Sequence, residues 1–154
     1  MGIVALTQRR DPYMAYNFVV EIEGLVKGGF TEVSGLESEI ELEEYREGGR
    51  NQFPHQFPGA IRYPRLVLSR GLTDVDVLWN WYQNATQGKI RLKNGTIMLY
   101  DRRQQTAVMW WSFKQAYPVK WVGPQLNASN ATEVAVERLE LVHQGLTHIR
   151  ERNR

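Results

Sequence analysis

Gly35–Tyr63 reads GLESEIELEEYREGGRNQFPHQFPGAIRY, and its first third is a strand with an acidic face. Strand side chains alternate, so Ile40 and Leu42 point one way while Glu39, Glu41 and Glu43 point the other. Gly48-Gly49 then opens an extended loop over 46–60 that carries Phe53, Phe57 and two prolines, with no apolar period of its own. Loops of about 15 residues without secondary structure are uncommon in compact domains and usually have a function or lack order. Aromatic side chains on such a loop are costly to leave in water. The expected partner is a second copy of this chain.

Outward from that stretch the pattern is mainly β. Tyr16, Phe18, Val20 and Ile22 form one face of a first strand that Gly24 ends, and the chain returns through Phe30–Ser34. Ile61–Arg70 reads as the partner of the acidic strand, with Pro64 marking an edge or a bulge because proline donates no ladder hydrogen bond. Thr73 is a candidate helix cap with Asp74 and Asp76 behind it. Val75, Leu78, Tyr82 and Ala85 then recur at helical spacing up to a stop at Gly88, which predicts one amphipathic helix over 73–88.

Strands resume beyond the helix. Lys89–Lys93 is expected to begin one, with Asn94-Gly95 as a turn or kink, and Thr96–Asp101 is apolar on both faces. Asp101–Gln105 reads as a hairpin loop, and Ala107–Val122 as a strand pair or one strand bent at Pro118. In Glu133–His143 the apolar phase shifts from Val134 and Val136 to Leu139 and Leu141, which predicts a bulge. The tail 147–154 is expected to be flexible. One domain of antiparallel strands follows, a β-sandwich or small barrel with one flanking α-helix and a long hairpin loop.

Composition narrows the function. Nineteen basic and seventeen acidic residues leave a charge of +2 over 154 residues, too mild for a nucleic-acid binder. Cysteine is absent, which removes disulfides and thiolate metal sites. The opening MGIVALTQRR is no signal peptide, and no run approaches a membrane span, so cytoplasmic synthesis without a membrane anchor is expected.

His55, His143 and His148 share no ligand spacing, and no nucleophile or phosphate-binding motif is present, so no catalytic residue, metal or cofactor is expected. Glu39, Glu41 and Glu43 occupy equivalent strand positions, which do not split carboxylate pKa values for acid–base work. They are better placed facing water or a basic strip such as Arg91 and Lys93. Trp110 and Trp111 are neighbours on opposite faces, so they favour packing over a sugar-stacking platform.

The run from Thr96 to Leu146 resembles the phage tail tube protein family, which includes the inner tubes of contractile phage tails and contractile injection systems. The resemblance lies in Tyr100-Asp101, in Ala116-Tyr117-Pro118-Val119-Lys120-Trp121, in Leu126-Asn127-Ala128-Ser129 and in the closing strand Glu133–Leu141. Asp11-Pro12-Tyr13, Phe30–Leu36 and the helix Asp76–Trp81 extend it over nearly the whole chain.

It implies a single tail-tube domain with an N-terminal arm over 1–12, forming hexameric rings with a continuous inner β-barrel that stack into a rigid channel. Sheath contraction would drive that channel through a target envelope. It further implies contact with sheath, baseplate hub or spike and tube terminator, protein or DNA cargo, assembly in the cytoplasm and residence in a phage tail or an injection particle. On this reading Tyr45, Arg46, Arg50, Phe53, Phe57 and Arg62 contact neighbouring subunits or rings, and Glu39, Glu41 and Glu43 face the lumen. The alternatives are a carbohydrate-binding or enzymatic β-sandwich, or a baseplate or terminator ring on the same fold.

Overall fold

Alternating apolar residues decide which strands share the core. In the computed structural model, which describes residues 12–15, 17–45, 55–103 and 106–150, the elements run β1 Phe18–Ile22, β2 Val26–Lys27, β3 Phe30–Ser34, β4 Glu39–Tyr45, β5 His55–Arg62 and β6 Leu66–Gly71. They continue with α1 Val77–Thr86, β7 Lys93–Tyr100, β8 Ala107–Val122, β9 Val136–Val142 and β10 Gly145–Arg150. The strands β2-β1-β7-β8-β9-β6-β3 form one curved antiparallel sheet, β10 also pairs with β8, and β4 with β5 forms a separate two-stranded sheet. The mainly β reading with one helix holds.

Strand β8 joins the two halves of the large sheet. Its first part pairs with β7 and β10, and from Tyr117 onward it pairs with β9. The switch falls at Gln115, whose φ of 52° is in the left-handed region. Two residues of β8, Lys114 and Gln115, stand opposite Asn94 alone, a bulge pinned by the Gln115 N–H donating to Asn94 Oδ1 at 3.0 Å. The bulge moves the buried positions from Phe113 to Ala116, and a second irregularity follows at Pro118–Lys120. One bent strand replaces the alternative of a strand pair. Gly95 sits under the Phe113 ring, where any β-carbon would collide with it.

The core lies between the curved sheet and α1. Val20, Ile22, Leu66, Leu68, Ile97, Phe113, Leu139 and Leu141 are buried from the sheet, and Leu78 and Trp81 from the helix. The Trp81 indole N–H donates to the Arg91 carbonyl at 3.0 Å, so its polar atom is satisfied where the ring is buried.

Several sequence expectations are corrected. The helix starts at Val77 with Asp76 as its N-cap, and Thr73 instead accepts the Val75 N–H at 3.3 Å in the turn before it. Val75 is therefore 54% exposed rather than part of the apolar face. Gly88, at φ +81°, does end the helix: its N–H bonds the Ala85 carbonyl and that of Lys89 bonds the Asn84 carbonyl. Residues 89–92 belong to no strand, and β7 begins at Lys93 and runs through Asn94-Gly95.

The expected strand Ile61–Arg70 is two strands in different sheets, separated at residues 63–65 around Pro64. Within the expected loop 46–60, residues from His55 onward are strand, while Arg46, Arg50 and Phe53 lie outside the described residues. Tyr16 and positions 1–11 of the arm also lie outside them. The tail pairs with β8 as β10 up to Arg150.

Strand β9 has no bulge. It keeps one phase from Val136 to Val142, and the inward position before Leu139 and Leu141 is filled by Glu137. Sequence reading looked for an apolar residue there and inferred a slip. The register sets Leu66 opposite Leu141, Leu68 opposite Leu139 and Arg70 opposite Glu137, so two charges end two apolar rows. Arg70 Nε donates to Glu137 Oε1 at 2.7 Å and Arg70 Nη2 to the Val75 carbonyl at 2.8 Å, while the Trp121 indole donates to Glu137 Oε2 at 3.0 Å. The pair thereby ties β6, β8 and β9 to the approach of α1.

Candidate functional site

The β4–β5 hairpin stands outside the core. Its register sets Ile40 opposite Ile61 and Leu42 opposite Pro58, while Glu39 faces Arg62 and Glu43 faces Phe57. Directly opposed residues share a face. One face is therefore apolar over Ile40, Leu42, Pro58 and Ile61, with the polar pair Glu44 and Gln56 beyond them. The other carries Glu39, Glu41 and Glu43 with Arg62 and Phe57. Between Ile40 and Leu42 only Glu41 intervenes, whereas Gly59 and Ala60 intervene between Pro58 and Ile61, so β5 bulges there.

Both faces lie in solvent in the single chain. Ile40 is 52% exposed, Leu42 and Ile61 are each 58% exposed, and Phe57 is 52% exposed. A two-stranded hairpin is at best marginally stable in water without a further layer. The sequence places an alternating apolar row here, and the described residues leave it more than half exposed.

The two legs of the hairpin meet closely at its root. Gly35, at φ +86°, precedes β4, and the Arg65 carbonyl beyond β5 occupies the space a β-carbon would need. Only glycine permits that approach of the two legs. Tyr63, just after β5, packs its ring 5.2 Å from that of His143. His143 is buried, its Nδ1–H donates to the Gly145 carbonyl at 3.1 Å, and its Nε2 is buried without a partner among the described residues.

Burial pushes the His143 imidazole below its ordinary value of 6.5, partly offset by the Gly145 carbonyl. Well above pH 6.5 the imidazole is neutral in both the folded and the unfolded chain. Below that the unfolded chain takes up a proton that the folded core resists, so stability falls until the folded group protonates too. We expect His143→Phe to flatten this part of the melting-temperature profile between pH 7.5 and 5. An unchanged slope contradicts that role for His143.

The predicted contact residues are only partly brought together. Phe57 and Arg62 lie on the acidic face of the hairpin with Glu39, Glu41 and Glu43, and the Tyr45 backbone pairs with His55 at the far end of the described strands. Sequence reading missed Pro58 and Ile61, which complete the apolar face: it assigned Pro58 to the loop and, although it paired the strand opening at Ile61 with the acidic strand, it ran that strand on to Arg70 and named no apolar face across the pair.

Catalytic geometry is absent among the described residues. No group of three or more metal-ligating side chains converges, and no helix is long and apolar enough to cross a membrane. An open cleft of about 610 Å³ between Pro12–Asn17 and Tyr100–Arg103 is lined by neither histidine nor a hydroxyl nucleophile other than tyrosine. Trp111 packs against the core and stands 5.4 Å from the His148 ring, in keeping with a packing role.

Open margins are the other notable feature. Among the described residues, strand β3 pairs only with β6, β10 only with β8, and β4 only with β5. Open strand edges and an exposed apolar hairpin face, with no converging catalytic groups among the described residues, are the surfaces of a β protein that pairs with other chains rather than of an enzyme with a cleft. The chain belongs to the T4-like virus tail tube protein gp19 family, which matches residues 14–147. It is a tail tube protein of phage tails and contractile injection systems, a structural family rather than an enzymatic one, and so a component of such a particle.

Solved structures agree on the fold. A chain of the anti-feeding prophage baseplate is 25% identical, with 91% of this chain and 97% of that chain covered at a TM-score of 0.79. A chain of the extended sheath–tube complex of PVC, an extracellular contractile injection system, is 24% identical, with 91% and 93% covered at 0.80. Hcp1 from Flavobacterium johnsoniae is 15% identical, with 86% and 94% covered at 0.58. No curated protein matches the chain.

Proposed function

We propose that this chain is the repeating inner-tube subunit of a contractile injection machine, with six copies per ring and rings stacked into a stiff channel. The observation that carries the reading is the hairpin whose apolar face is more than half exposed and uncovered by the described residues. A contact between different patches closes into a ring when its rotation permits, and stacking without closure extends a filament. Strands joined from several chains make a barrel wide enough to be a channel.

The acidic face of β4 turns to the lumen, where a polar surface needs no apolar partner and does not hold DNA by its phosphates. The subunit does no bond chemistry. It holds shape under axial load while a sheath contracts around it and drives it, behind a hub or spike, through the target envelope. A terminator closes the far end, and protein or DNA passes along the bore. Assembly takes place in the cytoplasm. Tyr45, Arg46, Arg50 and Phe53 belong to the contacts between copies, whereas Phe57 and Arg62, first expected there too, share the acidic face and on this reading border the lumen.

Size-exclusion chromatography with negative-stain imaging tests the reading. Purified protein at rising concentration should pass from single chains to rings and then to stacks of rings. A terminator would stop at one ring, and a sugar-binding domain would stay monomeric.

A further inference from the structure

The hairpin has a complementary partner elsewhere in the chain. Residues 39–43 read Glu-Ile-Glu-Leu-Glu, and residues 89–93 read Lys-Ile-Arg-Leu-Lys. Each alternates charged and apolar side chains, with opposite sign. Ile90 is 53% exposed and Leu92 50% exposed, values close to those of Ile40 and Leu42. Residues 89–92 lie in no strand although they lead directly into β7.

The backbone is disposed to accept a strand. The Arg91 carbonyl is turned to its own helix, where Trp81 Nε1 donates to it. In an extended chain the amides of successive residues point to opposite edges, so a strand formed at 89–93 would turn those of Ile90 and Leu92 to the edge opposite the one Arg91 gives to Trp81. Strand β4 has one edge taken by β5, and its other edge is open among the described residues. Within one chain the two segments do not pair.

We propose that the open edge of β4 adds to residues 89–93 of a neighbouring copy. Resting on the tube reading, this contact names the surface that receives the hairpin. In the joined sheet Ile40 and Leu42 lie with Ile90 and Leu92 on one face. Glu39, Glu41 and Glu43 lie with Lys89, Arg91 and Lys93 on the other. Main-chain hydrogen bonds supply affinity, and the charge pattern sets partner and register. The lumen face then carries acids and bases side by side. The row of like charges on β4, which among the described strand residues has Arg62 opposite Glu39, gains further counter-charges on assembly.

Charge reversal tests the contact. The hairpin variant is Glu39→Lys, Glu41→Lys, Glu43→Lys, and the strip variant is Lys89→Glu, Arg91→Glu. All five positions are exposed, so each variant should keep the circular dichroism spectrum of the parent chain. Each alone should raise the concentration needed for ring and tube assembly by roughly tenfold or more. An equimolar mixture should assemble again, because every reversed hairpin then meets a reversed strip and every native hairpin a native one. Either variant assembling like the parent, or a mixture no better than its parts, overturns the contact and leaves the tube reading intact. Parent protein that forms no ring or tube under the same conditions overturns the tube reading, and the contact with it.

Discussion

Glu137→Ala lowers the unfolding free energy of the single chain by about 3–5 kcal/mol, the range for removing one partner of a buried ion pair. Side-chain exposure at the pair is 7% for Arg70 and 4% for Glu137, so little water can replace the lost carboxylate. The substitution strands the Arg70 guanidinium and the Trp121 indole N–H together, since both donate to Glu137. It also loosens the approach to α1, because Arg70 holds the Val75 carbonyl and Trp121 meets the Trp79 ring edge-on at 4.8 Å. Urea unfolding followed by tryptophan fluorescence at low protein concentration reads the loss. Arg70→Met combined with Glu137→Leu should recover much of it, because two apolar side chains leave no buried charge unpaired. A double variant as unstable as Glu137→Ala contradicts the electrostatic explanation.

Ile40→Thr, Leu42→Thr and Ile61→Thr together abolish tubes while the single chain still folds. Each site is more than half exposed and threonine keeps strand propensity, so the monomer should change by no more than about 0.5 kcal/mol per site. Covering the remaining surface of each residue in an assembly contributes about 1 kcal/mol. Three such losses at one contact weaken it roughly a hundredfold, and the contact repeats around every ring. Sedimentation and electron microscopy of the triple variant should find single chains. Normal tubes from it would show that the apolar face of the hairpin is not an assembly contact.

The legible parts of the fold are those where period and position agree. The alternation in β1 and the glycine stop of α1 are written in single residues, and both are found where expected. The bulge was placed on the wrong strand for a physical reason: a buried Glu137 imitates a phase slip, and only its cross-strand partner Arg70 reveals the true register. The signal was present, since Leu66, Leu68 and Arg70 share a phase, as do Leu141, Leu139 and Glu137. Recognising it requires knowing that β6 pairs with β9, which no local pattern states.

The hairpin shows the same limit. Pro58 and Gly59 read as loop, yet β5 tolerates them because a bulge falls at Gly59-Ala60 and the proline faces Leu42 on a sheet of only two strands. Its acidic and apolar faces were apparent from Glu39–Glu43 alone. That the apolar one stays exposed among the described residues was not, because exposure depends on the whole fold.

A cryo-EM reconstruction of the assembled protein, resolved well enough to trace the backbone, goes most directly to whether sister copies finish what one polypeptide leaves open. Six chains per ring, with Ile40, Leu42 and Ile61 of every hairpin covered by a neighbour, is the predicted result. Hairpins that extend into solvent with both faces wet, in particles of any symmetry, would contradict it.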